Sequence, residues 1–146
     1  MRLTAALSCL LLTCATAAGG ASLKGALDPD ALLSADTAFA LLLPLERRGD
    51  RVQLEWNIAP GYYLYKHRVQ VEILQPAGSK ASVRLPAGLP HQDEHFGRVE
   101  IYRSLLTGDA GLPPGSGPVR LRLRWQGCAD AGVCYPPQTA ILDLPR

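Results

Sequence analysis

The pattern that most constrains the fold is a strict alternation of apolar residues and arginines. Residues 119–125 have the sequence Val-Arg-Leu-Arg-Leu-Arg-Trp, and residues 51–58 alternate with the same period. Only an extended strand places every second side chain on one face, so each run predicts a half-buried β-strand. Fourteen glycines and twelve prolines favour short strands joined by turns over a helical bundle. The sequence therefore predicts an all-β chain, folded as an antiparallel β-sandwich.

Shorter apolar runs between turn residues predict the remaining strands. They cover residues 39–45, 62–74, 82–85, 99–106 and 139–144. A polar loop is predicted at 91–97, and a loop rich in glycine and proline at 108–118. The three arginines of 119–125 are expected on a solvated outer face. A net charge of +2 is far from that of a nucleic-acid-binding domain, so no nucleic-acid partner is expected.

The first eighteen residues have the features of an export signal. Arg2 precedes an uncharged apolar stretch, and Ala15-Thr16-Ala17 matches the pattern of small residues at signal-peptidase sites. We therefore predict a cleavable signal peptide at 1–18 and a single mature domain at 19–146, in preference to a buried or membrane-anchoring helix. A lipid anchor at Cys14 is the alternative to this processing, although the preceding threonine is larger than the usual Gly or Ala.

Two of the four cysteines, Cys128 and Cys134, belong to the predicted mature domain. Export would place them in an oxidising compartment, where disulfides persist. Residues 129–133 between them are small or turn-forming, so the chain can reverse there and bring the two sulfurs together across a hairpin neck. The spacing leaves two functions open, a redox-active pair and a structural bridge.

Two further functions compete with thiol chemistry. The chain would be a binding module if its bridge is only a structural staple and its exposed loops hold a protein partner. It would bind copper or zinc if His91 and His95 joined the two thiols as ligands. Because a single C-x5-C pair is short of a structural zinc set, we predict neither a metal nor any other cofactor.

Three segments of the sequence resemble one family. Residues 127–137 (Gly-Cys-Ala-Asp-Ala-Gly-Val-Cys-Tyr-Pro-Pro) are similar to the active-site hairpin of the N-terminal periplasmic domain of DsbD, the membrane thiol:disulfide interchange protein. Residues 61–65 (Gly-Tyr-Tyr-Leu-Tyr) resemble that family's tyrosine-rich strand start, and residues 91–102 resemble its cap-loop segment. The likeness covers roughly residues 30–144, with the three motifs in the family's order.

The resemblance implies an immunoglobulin-like β-sandwich that relays electrons by thiol–disulfide exchange. In such a domain Cys134 would form the mixed disulfide with a partner, and Cys128 would resolve it. Four further residues match those that surround the sulfurs in the family, and two belong to the cap that would shield them. The surrounding residues are Tyr63, Tyr65, Asp93 and Glu94, and the cap residues are His95 and Phe96.

The residue types add a constraint on this chemistry. Carboxylates such as Asp93 and Glu94 near a thiol raise its pKa, because they disfavour a second negative charge. No helix N-terminus is predicted that would oppose them. We therefore expect a slowly reacting thiol, activated when a partner displaces the cap. His95 stands where the family commonly has an aromatic residue, and a histidine there would make capping sensitive to pH.

The resemblance also implies a location and partners. The expected setting is the periplasm, and the expected activity is that of a protein-disulfide reductase component. The clients would be disulfide-bonded periplasmic proteins, such as disulfide isomerases or cytochrome c maturation factors. The family's full-length proteins continue into a transmembrane domain and a thioredoxin-like domain, whereas this sequence ends at Arg146. Electrons are therefore expected from a separate membrane protein or a thioredoxin-like donor.

Overall fold

The structure, a computed structural model, describes residues 32–115 and 117–146. The predicted signal peptide and Cys14 lie outside this range. Twelve strands form the framework of the described chain, with one helical turn at Ala35–Ala38 and one 3-10 turn at Lys66–Arg68. None of the described helices has the length and apolar character needed to cross a bilayer. In chain order the strands are β1 Phe39–Leu41, β2 Arg47–Arg48, β3 Arg51–Ile58, β4 Tyr62–Tyr65, β5 Gln70–Gln75, β6 Ser82–Arg84, β7 Leu89–Asp93, β8 Gly97–Tyr102, β9 Leu105–Gly111, β10 Val119–Trp125, β11 Gly127–Ala129 and β12 Gln138–Leu144.

Within the described residues, the strands pair into three sheets. One sheet has the order β1-β3-β9-β6, with β2 paired to β3. The second has the order β12-β10-β5, and the third has the order β11-β4-β8-β7. Every one of these pairings is antiparallel. Strand β10 spans Val119–Trp125, the bounds that its alternation predicts.

One apolar core joins the three sheets. The inward residues of β3 and β10 are buried, and their tryptophans, Trp56 and Trp125, meet edge to face with ring centroids 5.8 Å apart. Phe39 of β1 packs edge-on against Tyr62 of β4 at a centroid distance of 6.0 Å. All four residues belong to one cluster of buried side chains, whose removal from water stabilises the fold. The predicted all-β antiparallel sandwich is therefore confirmed.

The outward face of β10 carries the three arginines of the alternating run. Arg120 Nε lies 3.6 Å from Asp143 Oδ1 on β12, and Arg122 Nη1 lies 2.8 Å from Glu72 Oε2 on β5. Arg124 is exposed at the end of the strand. This is the solvated face that the alternation predicts, with part of its charge neutralised across the sheet.

Two of the predicted strands are interrupted. The predicted strand 62–74 is broken by the 3-10 turn at Lys66–Arg68, so that β4 and β5 belong to different sheets. The predicted strand 99–106 is divided near Ser104, whose φ of 64° turns the chain from β8 into β9. Apolar alternation does not reveal such breaks, because each half keeps its own period of two.

The polar loop predicted at 91–97 is confirmed only for the turn at 94–96 and is wrong at both of its ends. Strand β7 runs as far as Asp93, which pairs with Gly97 at the turn of a β7–β8 hairpin. The neighbouring strand imposes this extended conformation, and the polarity of the segment does not reveal it. The predicted loop 108–118 likewise begins late, because β9 continues to Gly111 by pairing with β3 and β6.

A close approach between two strands sets the position of the cysteine hairpin. Gly127 pairs with Leu64 at the start of β11. A β-carbon on Gly127 would lie 2.2 Å from the carbonyl oxygen of Tyr63 and 2.6 Å from a ring carbon of Phe39. Both groups are held in the core, so a residue without a side chain is required at this position.

We predict that Gly127→Ala destabilises the domain by about 1–3 kcal/mol, because the added methyl group forces β11 away from β4. Chemical denaturation of the oxidised protein measures the free energy of unfolding. Gly117→Ala is the matched control, since a β-carbon at Gly117 meets no atom within 4 Å. Equal free energies of unfolding for the two variants would contradict the close approach.

Candidate functional site

Strand β4 divides its side chains between two clusters. Tyr62 and Leu64 point into the main core, and Tyr62 is thus a packing residue. Tyr63 and Tyr65 point to the other face, where they form a smaller buried cluster with Cys128. Because successive side chains of β4 point to opposite faces, the same strand packs against the main core and against the cysteine hairpin.

The two cysteines form a disulfide across a tight hairpin. Their Cα atoms lie 4.0 Å apart, and the Tyr135 N–H donates to the Gly127 carbonyl at 3.0 Å. Gly132, with a φ of 81°, permits the left-handed turn at the tip of the hairpin. Cys128 is completely buried, whereas Cys134 is exposed. Cys134 is therefore the more accessible of the two cysteines.

A hydroxyl group connects the disulfide to a buried carboxylate. The Tyr65 hydroxyl oxygen lies 3.1 Å from Cys128 Sγ and 3.9 Å from Cys134 Sγ. The same hydroxyl donates a short hydrogen bond to Asp93 Oδ2. Asp93 is 7% exposed and is the only buried charged residue in the described part of the chain. The structure thus brings four of the predicted site residues into one chain of contacts.

The Asp93 carboxylate is held by backbone groups as well. The N–H groups of His95 and Phe96 each donate to Asp93 Oδ1 at 2.8 Å. Burial raises the pKa of Asp93, but the hydrogen bonds from Tyr65, Phe96 and His95 outweigh it, and the net shift is downward. Burial, followed by the hydrogen bond to Asp93, raises the pKa of Tyr65 far above its ordinary value. At neutral pH the pair is therefore a carboxylate and a neutral phenol.

The two predicted cap residues occupy different places. The Phe96 ring packs edge-on against Tyr65, with centroids 5.2 Å apart, and the Arg68 guanidinium carbon lies 4.6 Å from the centre of the Phe96 ring. Phe96 is 38% exposed, so the residue remains partly in solvent. His95 instead lines the cleft that contains Cys134. Phe96 thus covers the tyrosine beside the sulfurs, and His95 lines the same cleft as Cys134.

The cleft beside Cys134 has a volume of about 210 Å³. Tyr63, Asp93 and Glu94 from the predicted site lie on its wall, together with residues of the cysteine hairpin. Glu94 is exposed there, as the first residue of the turn that follows β7. All eight predicted site residues are therefore found around one disulfide.

An ion pair that the sequence analysis missed fixes the tip of the cysteine hairpin. Arg103 donates two hydrogen bonds to the Asp130 carboxylate, at 2.8 and 3.0 Å, and its guanidinium carbon lies 5.2 Å from the Tyr63 ring centre. The Asp130 N–H donates to the Gly61 carbonyl at 2.8 Å. Asp130 lies between the cysteines in the sequence, but no spacing rule connects it to an arginine in the β8–β9 connection.

All three histidines of the chain border this region. The His91 ring centroid lies 4.9 Å from that of Tyr63. His67 is a residue that the sequence did not indicate. Its ring centroid lies 5.4 Å from that of Tyr65 and 5.1 Å from that of Phe96. Burial, and then the charge of Arg68, lower the pKa of His67, which favours the neutral ring. The sequence feature that could have placed His67 near the site is its position two residues after Tyr65.

Within residues 32–115 and 117–146, no three His, Cys, Asp or Glu side chains are grouped so that they could hold a metal ion. His91 and His95 both line the Cys134 cleft, but the two cysteine sulfurs are bonded to each other.

We predict that Asp93→Asn lowers the free energy of unfolding at neutral pH by about 1–3 kcal/mol, because charge-assisted hydrogen bonds to a buried group are lost. A carboxyl group with a lowered folded-state pKa stabilises the fold above its unfolded pKa of about 3.9 and loses that contribution as the pH falls through the folded value. The gap between wild type and variant should therefore narrow on acidification.

Denaturation of the oxidised protein between neutral pH and about pH 2.5 measures this gap across the expected range. Asp143→Asn is the control, because its carboxylate is 75% exposed on β12. A gap at Asp93 that stays constant over the whole range would contradict the assignment of a buried carboxylate.

Comparison with known proteins gives a consistent result. The family model for the N-terminal domain of the thiol:disulfide interchange protein DsbD matches residues 29–145. Thiol:disulfide interchange protein DsbD 2 of Pseudomonas aeruginosa is 51% identical over 100 residues, which are 68% of this chain and 16% of that protein. The chain spans less than a quarter of the length of the curated relatives it matches.

Two solved structures share the fold. The reduced N-terminal domain of DsbD from Neisseria meningitidis has a TM-score of 0.68 and 31% identity, over 79% of this chain and 90% of that one. The DsbD N-terminal domain in a complex with the PilB N-terminal domain, from the same organism, has a TM-score of 0.67 and 33% identity, over 77% and 86% of the two chains. With its immunoglobulin-like sandwich and its cysteine hairpin, the chain belongs to the family of DsbD N-terminal domains.

Proposed function

We propose that the chain is a thiol–disulfide exchange domain that passes reducing equivalents to disulfide-bonded protein partners. The observation that carries this proposal is the unequal exposure of the two cysteines, since residue Cys134 is exposed and residue Cys128 is fully buried. Exchange needs one sulfur that a partner can reach and a second one that only the first can reach. A structural staple has no need of this asymmetry.

The reaction follows from the positions of the two sulfurs. In the reduced domain the Cys134 thiolate attacks one sulfur of the partner's disulfide, and the other partner sulfur leaves as a thiolate that takes up a proton. Cys128, deprotonated in turn, attacks Cys134 Sγ and releases the second partner thiolate. The partner gains two electrons, and the Cys128–Cys134 disulfide seen in the structure is formed again.

Tyr65 and Asp93 control the charge beside these sulfurs. The Asp93 carboxylate contacts the sulfurs through the Tyr65 hydroxyl, so a thiolate at Cys128 would add a second negative charge to a buried site. The described chain offers no helix of more than four residues whose N-terminus could compensate for that charge. We assign to Tyr65 and Asp93 the role of keeping the Cys128 thiol of the reduced domain protonated and slow to react.

The remaining predicted residues act at the entrance to the site. Phe96 covers Tyr65, while Tyr63, Glu94 and His95 line the cleft that a partner must enter to reach Cys134. We assign the shielding of the disulfide to Phe96 and His95, and the contacts with an incoming partner to the walls of the cleft. Opening of this cap would accompany docking, so exchange with a docked protein is faster than with a small oxidant.

The proposed setting is the periplasm, reached through the predicted signal peptide at 1–18. Its support is the disulfide itself, which persists in an oxidising compartment.

The Neisseria relative was solved in a complex with the PilB N-terminal domain. We propose partners of the same general kind, namely proteins with an accessible disulfide, including disulfide isomerases and cytochrome c maturation factors. A membrane protein or a thioredoxin-like donor would supply the electrons.

Trapping with glutathione disulfide tests the order of attack. We predict that Cys128→Ser, in the reduced form, accumulates a glutathione adduct on Cys134, whereas wild type resolves its adduct to the internal disulfide. Cys134→Ser should react at Cys128 at least about tenfold more slowly, because Cys128 is buried. Mass spectrometry of acid-quenched samples follows both reactions.

In denaturant the two variants should react at similar rates, which controls for intrinsic differences between the thiols. Equal rates in the folded domain would overturn the assignment of Cys134 as the attacking residue.

The reduction potential of the Cys128–Cys134 pair decides between thiol–disulfide exchange and a structural bridge. We expect roughly −180 to −270 mV, whereas a value below about −300 mV would make the bond a structural bridge.

A further inference from the structure

A second cleft, with a volume of about 170 Å³, lies at the end of the β5–β10 strand pair. Gln70 and Arg124 face each other across these strands. Gln126 and Pro137 extend the cleft toward the site, since they belong to the two segments that carry Cys128 and Cys134. Its lining residues are Arg68, Gln70, Arg124, Trp125, Gln126 and Pro137.

Two guanidinium groups, those of Arg68 and Arg124, line this cleft. Arg120 and Arg122 on the same face pair with carboxylates, but Arg68 and Arg124 have no carboxylate within 4.0 Å among the described residues. The Arg68 Nε–H and the Trp125 indole N–H are buried without any hydrogen-bond partner in the described chain. Because buried donors are normally satisfied, these groups favour an acceptor, and the positive charges of Arg68 and Arg124 favour an anionic one.

Arg68 also connects this cleft to the cap. Its guanidinium lies over the Phe96 ring at 4.6 Å, and Phe96 packs against Tyr65 beside the sulfurs. A carboxylate bound to a guanidinium by two hydrogen bonds is held more strongly than an aromatic ring in a partly exposed cation–π contact. A carboxylate that enters the cleft would therefore draw Arg68 away from Phe96.

We propose that this cleft binds a carboxylate side chain of the protein partner and that its binding releases Phe96 from Arg68. The inference rests on the exchange function proposed above and identifies the partner's chemistry, an acidic residue close to its disulfide. The volume of the cleft suits one such side chain. Arg68 is then a positioning residue, because it acts on the sulfurs through Phe96 and Tyr65.

Peptides with a single cysteine, blocked as a mixed disulfide with neutral 2-thiopyridine, test the proposal. Cys134 attacks the peptide sulfur and 2-thiopyridone leaves, and Cys128 then releases the peptide thiol, so the absorbance of the thiopyridone reports the rate. Each peptide carries Glu at one of several distances from the cysteine, and a matched peptide carries Gln there. For the best spacing we expect the Glu peptide to react about tenfold faster with the reduced wild-type protein.

Three variants with the same change of charge separate the cleft from general attraction. Arg124→Gln and Arg68→Gln should lose the preference for Glu, whereas Arg84→Gln should keep it, because Arg84 is exposed on β6 in another sheet. Arg68→Gln should also react faster than Arg84→Gln with the Gln peptide, since its Phe96 is already released.

The outcomes are distinguishable. If no peptide reacts with wild type, the exchange function itself fails. If Gln peptides react but Glu brings no gain at any spacing, or if Arg84→Gln loses the preference as Arg124→Gln does, the carboxylate site is overturned. If Arg68→Gln loses the preference without reacting faster with the Gln peptide, the link to the cap is overturned.

Discussion

The two-sided burial of strand β4 is the constraint on which the rest of the structure depends. Tyr62 and Leu64 enter the main core on one face, and Tyr63 and Tyr65 meet Cys128 on the other. Because both faces are buried, any movement of β4 disturbs the core and the sulfurs together. The absence of a side chain at Gly127 permits the adjacent strand to lie close enough for this arrangement.

The site differs from redox centres in which a helix N-terminus activates a thiol. Its only buried charge in the described chain is the Asp93 carboxylate, which faces the sulfurs through the Tyr65 hydroxyl. This arrangement favours protonated sulfur over thiolate, and the aromatic cap adds steric protection. In the proposed function, such a domain would react slowly at rest and would depend on its partner for activation. The proposed carboxylate cleft at Arg68 would give the partner that control.

Sequence reasoning predicted the fold class and the strands with the clearest alternation, because a period of two has one structural explanation when turn residues surround it. It did not predict that 91–97 is largely a hairpin, nor that 62–74 belongs to two sheets. Both depend on which distant strand supplies the hydrogen bonds. The site residues came from a likeness to known motifs. Arg103, His67 and Arg68 carry no such motif, and sequence reasoning did not find their roles.

The sequence by itself determined the β-sandwich, through alternating burial, and the cysteine hairpin, through small turn residues between Cys128 and Cys134. Both are local properties that short segments encode. Only the tertiary structure decided that Cys128 is buried while Cys134 is exposed, and that Asp93 reaches the sulfurs through Tyr65. Those features arise where three strands and a turn meet, because burial and hydrogen bonding depend on neighbours that are far apart along the chain.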